Sequence, residues 1–299
     1  MPLTEFVDRP VMRDAFKEVY RRPELPDAVR HAPVLAASCG RGHSSVGTAF
    51  DYLARFKIAQ YAAANGHSVT DCGWLAETAI GLAQRDQRYA RHADLWGRMM
   101  REARKLHDGF VRGQEPVERV ARCVQVLAQA DLLVRVGEFN PSFKPAPDIT
   151  AELCRLAKIF DPGRILPWNG GPTLLNPQFH LSGITQGADA DINADDLILD
   201  FKLVSEVSIA VGYMRQLVGY SVLHRLGGPA DGWGGVQSPP CERVGLHFAR
   251  QGITLTWRLD ELLPDDGLDR YCEAFCREAR YQPPHAIRAP QPQETMLRM

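Results

Sequence analysis

Asp191, Asp200 and Lys202 are the side chains whose types and spacing can do chemistry; they lie in the stretch GADADINADDLILDFKLVSEVSIAVGYMRQLVGY, residues 187–220. Side chains two apart on a strand share a face, so Asp200 and Lys202 project together, and Asp189 and Asp191 share a face of the preceding strand. Asp195-Asp196 is placed to turn a hairpin, although it lacks the glycine of the strongest signal. Closure there sets Asp191 beside Asp200 across two strands. Crowded carboxylates repel one another unless something positive joins them. A hard divalent cation, Mg²⁺ or Mn²⁺, suits all-oxygen ligands. The lysine can then hold an attacking water or offset charge on a phosphate oxygen. Read alone, D-x-K is also an acidic hairpin with an ordinary surface lysine. Against that plain reading, an apolar strand and a helix carrying Gln216 and Tyr220 follow in order.

Asp191, then Asp200-Phe201-Lys202, then Gln216 and Tyr220 four residues apart resemble the PD-(D/E)XK nuclease superfamily, and within it the RecB-like exonuclease branch. The likeness covers about residues 178–260. It implies metal ligation by Asp191 and Asp200, helped by the Phe201 carbonyl, with Asp189 as a further candidate. Lys202 is then the catalytic lysine, and Gln216 and Tyr220 lie beside the substrate. The branch often carries a G-x-x-x-H-x-x-x-E helix upstream. Here Gly47 is followed by Asp51 and Arg55 at those places, so the histidine and glutamate are replaced. Asp51 is therefore either an auxiliary metal ligand or a helix-surface partner of Arg55. The resemblance implies metal-assisted phosphodiester hydrolysis with Mg²⁺ or Mn²⁺, on DNA in preference to RNA, in repair or phage defence. A binding protein that keeps the fold without catalysis, and a nuclease effector switched by a partner or ligand, are the alternatives.

The elements that must position these groups give an α/β (α+β) pattern, a small mixed sheet flanked by helices. The resemblance makes that sheet a restriction-endonuclease-like core with a large helical insertion. Residues 1–45 read as an irregular N-terminal extension, with one short helix at 12–20. Residues 46–66 form the first core helix, stopped by Gly66. Residues 73–165 read as a helical subdomain, and 166–281 as the nuclease core, with 282–299 a flexible proline-rich tail. Prolines and glycines in 161–177 predict an irregular joint, and 179–181 the first core strand. Residues 244–248 and 253–257 alternate as two further strands, and 266–280 as the last helix.

Within the subdomain Arg91, Arg98, Lys105 and Arg112 recur every seven residues, and residues 85–112 hold eight Lys or Arg against four Asp or Glu. Such spacing drifts only about 20° per repeat on a straight helix, so the charges form a stripe. The stripe is either a phosphate-tracking surface that includes Arg91, Arg98 and Lys105 or a solvated helix face. Trp233, in a glycine-rich loop, either stacks on a base or is ordinary loop surface.

Composition is ordinary for a globular enzyme, at 299 residues, 45% hydrophobic, 24% charged and net charge −1. That balance excludes a general coat of positive charge, so nucleic-acid contact must come from local patches. No apolar run approaches the roughly 20 residues of a membrane helix. The charged start without a secretory h-region, and seven scattered cysteines, predict a reduced cytoplasmic setting. No close C-x-x-C run, zinc-type histidine spacing or G-x-x-x-x-G-K-[ST] loop occurs, which argues against an iron–sulfur cluster, a zinc site or an ATP motor. Oligomeric state is not readable from these features.

Overall fold

The computed structural model describes residues 2–40, 42–89, 92–137, 140, 142–171, 173–185, 187–230 and 239–282. The chain opens with helices α1 (Leu3–Val7), α2 (Pro10–Val19) and α3 (Asp27–Arg30), then the long α4 (His43–Asn65). Gly66 ends α4 in the left-handed conformation, φ 72°, which costs glycine nothing. Strand β1 (Val69–Asp71) leads into α5 (Leu75–Arg85), α6 (Ala93–Val111), α7 (Val117–Val136), α8 (Pro147–Ile159) and α9 (Pro162–Ile165). Next come β2 (Thr173–Leu175), a 3₁₀ turn at Ser182–Thr185, β3 (Ile192–Ala194), β4 (Leu197–Lys202) and α10 (Val211–Gly227). Strands β5 (Arg243–Phe248) and β6 (Ile253–Arg258), α11 (Leu259–Leu262) and α12 (Gly267–Glu278) complete the order.

The strands form one six-stranded mixed sheet in sequence order, with helices on both faces. The β1–β2 and β4–β5 pairs are parallel and the other three antiparallel. Alternation along β4 sorts the faces. Leu197, Leu199 and Phe201 join a core with α4 to α8, whereas Ile198 joins the core built by α1, α2, α10 and α12. By the same period of two, Asp200 and Lys202 fall on the α10 side.

Three expectations are corrected. Residues 161–177 are not wholly irregular, since they contain α9 and β2. Three-residue strands carry too little sequence pattern to announce themselves and exist here because β2 pairs with both β1 and β3. Residues 179–181 form no strand, only an isolated bridge from Phe179 to Pro229. Residues 1–45 are less irregular than expected: they hold α1, α2 and α3, and Leu3, Phe6, Val7, Met12 and Phe16 are each at most 3% exposed. Full burial of such side chains contributes about 1.5–3 kcal/mol apiece, enough to hold α1 and α2 against α10 and α12. Gly219 on α10 admits α1 closely: a Cβ there would lie 3.0 Å from Val7 Cγ1.

Among the described residues no helix is long and apolar enough to cross a membrane. Trp233 and Arg91 lie outside the described residues.

Candidate active site

The β3–β4 hairpin builds the centre. Ala194 pairs with Leu197, so Asp195 and Asp196 form the expected two-residue turn, with Asp195 at φ 51° in glycine's place. Asp196 is pinned there by Arg243, with contacts of 2.8 and 2.6 Å from the guanidinium to its two oxygens. Ile192 pairs with Leu199, which brings Asp191, one residue before β3, level with Asp200. The Phe201 N–H donates to Asp191 Oδ2 at 2.6 Å. Asp191 therefore bonds across to β4 itself.

Lys202 shares a face with Asp200, as strand parity requires, and its ammonium forms an ion pair with Asp200 Oδ2. Asp200 is 5% exposed, and no donor is aligned to hydrogen-bond that buried oxygen, although the ammonium lies against it. Lys202 Nζ also donates to Gln216 Oε1 at 3.1 Å and stands 4.5 Å from the Tyr213 ring centre. Gln216 Nε2 donates to the Tyr220 hydroxyl at 2.9 Å, which in turn donates to the Asp189 carbonyl at 2.8 Å. The helix spacing of four thus serves a relay that fixes the lysine. Tyr220 is nearly buried, and burial raises its phenol pKa well above the ordinary value, so it stays a donor.

Asp51 enters from α4. Burial pushes its carboxyl up to about 7, partly offset by Arg55 and reinforced by Asp200. Asp191 is likewise raised well above the carboxylate range by burial, then by the charges of Asp51 and Asp200. Burial pulls Lys202 down, but Asp200 and Asp191 outweigh it and hold the amine above its ordinary value. Three acids thus share one enclosed region with a lysine that stays charged. Arg55 acts on Asp51 through its charge, without a close ion pair to the carboxyl. Its Nε donates to the Asp51 main-chain carbonyl at 3.2 Å, and its guanidinium lies 4.3 Å from the Tyr52 ring centre.

Asp189 stands apart from this trio. It makes an isolated bridge with Gln178 instead of lying on the strand with Asp191, and its carboxylate faces Arg135 at 3.8 Å. The expected shared strand face is absent because the chain enters β3 only at Ile192. Arg98 and Lys105 are exposed on α6, and Lys105 pairs with Glu102 at 2.8 Å. Among the described residues no hydrogen bond or ion pair joins either to the Asp191–Lys202 group. Arg104, on the same helix, turns inward, bonding Glu77 at 2.7 Å and lying 3.5 Å from the Trp74 ring centre.

Sequence reasoning missed Asp131 and Arg135. Tyr52 donates to Asp131 Oδ1 at 2.9 Å, and burial raises the Asp131 carboxyl to about 6. Arg135 lies one turn on, with Nε 4.0 Å from Asp131 Oδ2. The signal available was a D-x-x-x-R pair near the end of an otherwise apolar helix. Arg135 and Asp189 line a groove of about 590 Å³ that also takes in Pro2, Thr4, Trp74 and Asn176. The Asn176 N–H donates to the Asp191 carbonyl at 2.8 Å, so the groove wall abuts the acidic centre.

The donor set is all oxygen, three carboxyls against one lysine, a chemistry that suits a hard divalent cation. Among the described residues, however, no three Asp, Glu, His or Cys side chains stand in ready metal-holding geometry. Lys202, against Asp200, supplies the compensating charge in this arrangement. Comparison of the chain with protein-family models, with curated proteins and with solved structures found no match.

Proposed function

We propose that the protein is a divalent-metal-dependent nuclease that hydrolyses phosphodiester bonds, with DNA favoured over RNA, on a restriction-endonuclease-like core. The observation that carries the reading is the convergence of Asp51, Asp191 and Asp200 on a lysine held by Gln216. A purely structural cluster would balance its charges, whereas this one leaves acids in excess.

Asp51, Asp191, Asp200 and the Phe201 carbonyl would hold Mg²⁺ or Mn²⁺, which when bound lowers the pKa of a coordinated water and offsets phosphate charge. Lys202 remains an ammonium, so it donates to the attacking water or to a phosphate oxygen and does not act as the base. Gln216 keeps its amide oxygen on Nζ and so fixes the direction of the remaining donors. Tyr220 fixes Gln216 in the same way.

Purified protein incubated with single- and double-stranded DNA and RNA, in Mg²⁺, Mn²⁺ or chelator, tests this. Metal-dependent cleavage is expected; its absence on every substrate, with tight binding retained, would favour the second reading. That reading is a nucleic-acid-binding protein without catalysis. Arg55, which cannot ligate a metal, and the lack of ready metal-holding geometry among the described residues support it.

A further inference from the structure

We propose that Arg135 is the phosphate-gripping residue for a single unpaired polynucleotide strand that enters the groove beside Asp189. This rests on the nuclease reading and adds to it the substrate form and the residue that receives it. Among the described residues that line the groove, Arg135 is the only Lys, Arg or His. Its side chain is 47% exposed, and its ion contacts are long, 3.8 Å to Asp189 and 4.0 Å to Asp131. Among the described residues its guanidinium makes no hydrogen bond. A fork of five donors is therefore left to be filled, and a phosphate is the bidentate acceptor that matches it.

Two further observations favour this use. Glu77, the other acid on the groove, is already satisfied by Arg104, whose Nε and Nη2 each lie 2.7 Å from its oxygens. The charge of Arg135 also reaches Asp51, which places the grip within electrostatic range of the acidic centre. An anion approaching that centre meets repulsion from its carboxylates, and a cation at the rim offsets it. The groove is walled by α1, the start of α5, the end of α7 and residues 176–189, and its volume of about 590 Å³ is that of a small-ligand cleft. One strand fits such a space; a duplex, whose major groove alone is about 12 Å wide, does not.

The test uses full-length Arg135→Gln and Arg135→Lys, with Asp200→Ala as the catalytically silent background for binding. Cleavage of a short labelled single-stranded DNA in Mg²⁺ should show KM raised about tenfold or more by Arg135→Gln, with kcat changed far less. On the Asp200→Ala background the salt dependence of binding should fall by about one counterion. Arg135→Lys should restore that salt slope but only part of the affinity, since the fork is lost. Unchanged KM and salt slope in Arg135→Gln, with cleavage intact, overturns the assignment and leaves the nuclease reading standing. A lower melting temperature and kcat without a change in KM also overturns it, as a structural role. Cleavage of duplex alone overturns the single-strand part. Failure of the unaltered protein to bind or cleave either form overturns both readings.

Discussion

Two charged clusters among the described residues are built on opposite principles. At one, Arg250 and Glu152 pair at 2.5 Å, Glu152 also accepts the Cys39 N–H at 2.6 Å, and Arg250 donates to the Ala36 carbonyl at 2.9 Å. Both side chains are almost wholly buried, at 4% and 0% exposure. Burial pushes the Glu152 carboxyl up, but the Cys39 and Arg250 contacts prevail and leave it below its ordinary value. Charge balances, donors and acceptors are matched, and the pair ties residues 35–39 to the β5–β6 hairpin. At the other cluster burial raises Asp51 and Asp191 most, the charge of Asp200 adds to both and that of Asp51 adds to Asp191, and Lys202 is set against Asp200 Oδ2. The first arrangement matches its charges and holds the fold; the second crowds three carboxyls, two of them shifted upward, around one lysine. Unmatched carboxyls, and not burial alone, set the second cluster apart from the first.

The sharpest way to break that contrast is to remove members of the acidic cluster. Asp200→Ala and Lys202→Ala should each lower cleavage at least about a thousandfold, some 4 kcal/mol of barrier, with little loss of melting temperature. Full cleavage by both variants would erase the distinction. Glu152→Ala should do the reverse. It leaves Arg250 buried without its partner and should destabilise the protein by about 3–5 kcal/mol, measurable by denaturant unfolding, while the folded fraction keeps its specific activity.

A smaller effect follows from proton linkage. Asp51 titrates near 7 in the folded protein against an ordinary 3.8, so the native state holds a proton that the unfolded chain releases. Its stabilising contribution is complete below about pH 4 and is lost as pH rises through 7. Asp191 shifts in the same direction. Metal-free protein should therefore lose stability over that window, and Mg²⁺ should raise the melting temperature more at pH 8 than at pH 5. Asp191→Asn should flatten the slope in differential scanning calorimetry. Equal Mg²⁺ stabilisation at both pH values would count against a carboxylate site. The buried His247, lowered to about 3 by burial, has the opposite sign, its contribution falling as pH drops below 6.5, and Asp191→Asn should leave that acid limb in place. Smallest of all, Tyr220→Phe removes both relay hydrogen bonds of that hydroxyl and should cost about threefold to tenfold in kcat, measured by initial rates, with Asp200 and Lys202 intact.

The centre was legible where chemistry and local periodicity coincide. Strand parity gave Asp200 and Lys202 their common face, and the Asp195-Asp196 turn set Asp191 across from them. Helix spacing aligned Gln216 with Tyr220, but only the fold revealed that they grip Lys202. Asp51 was singled out by resemblance, and its approach to Asp191 depends on how α4 packs on the sheet, which no local pattern encodes. Asp131 and Arg135 look like an ordinary solvated i,i+4 pair until α7 is set against α4. The short strands β1 and β2 owe their form to partners far along the chain, so three residues of sequence could not declare them. Helix α1, five residues long, is too short to be stable alone and becomes visible only through the surface it buries.

That first helix has a practical consequence. The Leu3 N–H donates to the Gly187 carbonyl at 3.0 Å, while Pro2 and Thr4 form part of the groove wall. Pro2 and Thr4 thus stand at the rim where Arg135 waits. Bulk added to the Thr4 side chain would crowd the entrance and loosen the segment leading into the hairpin.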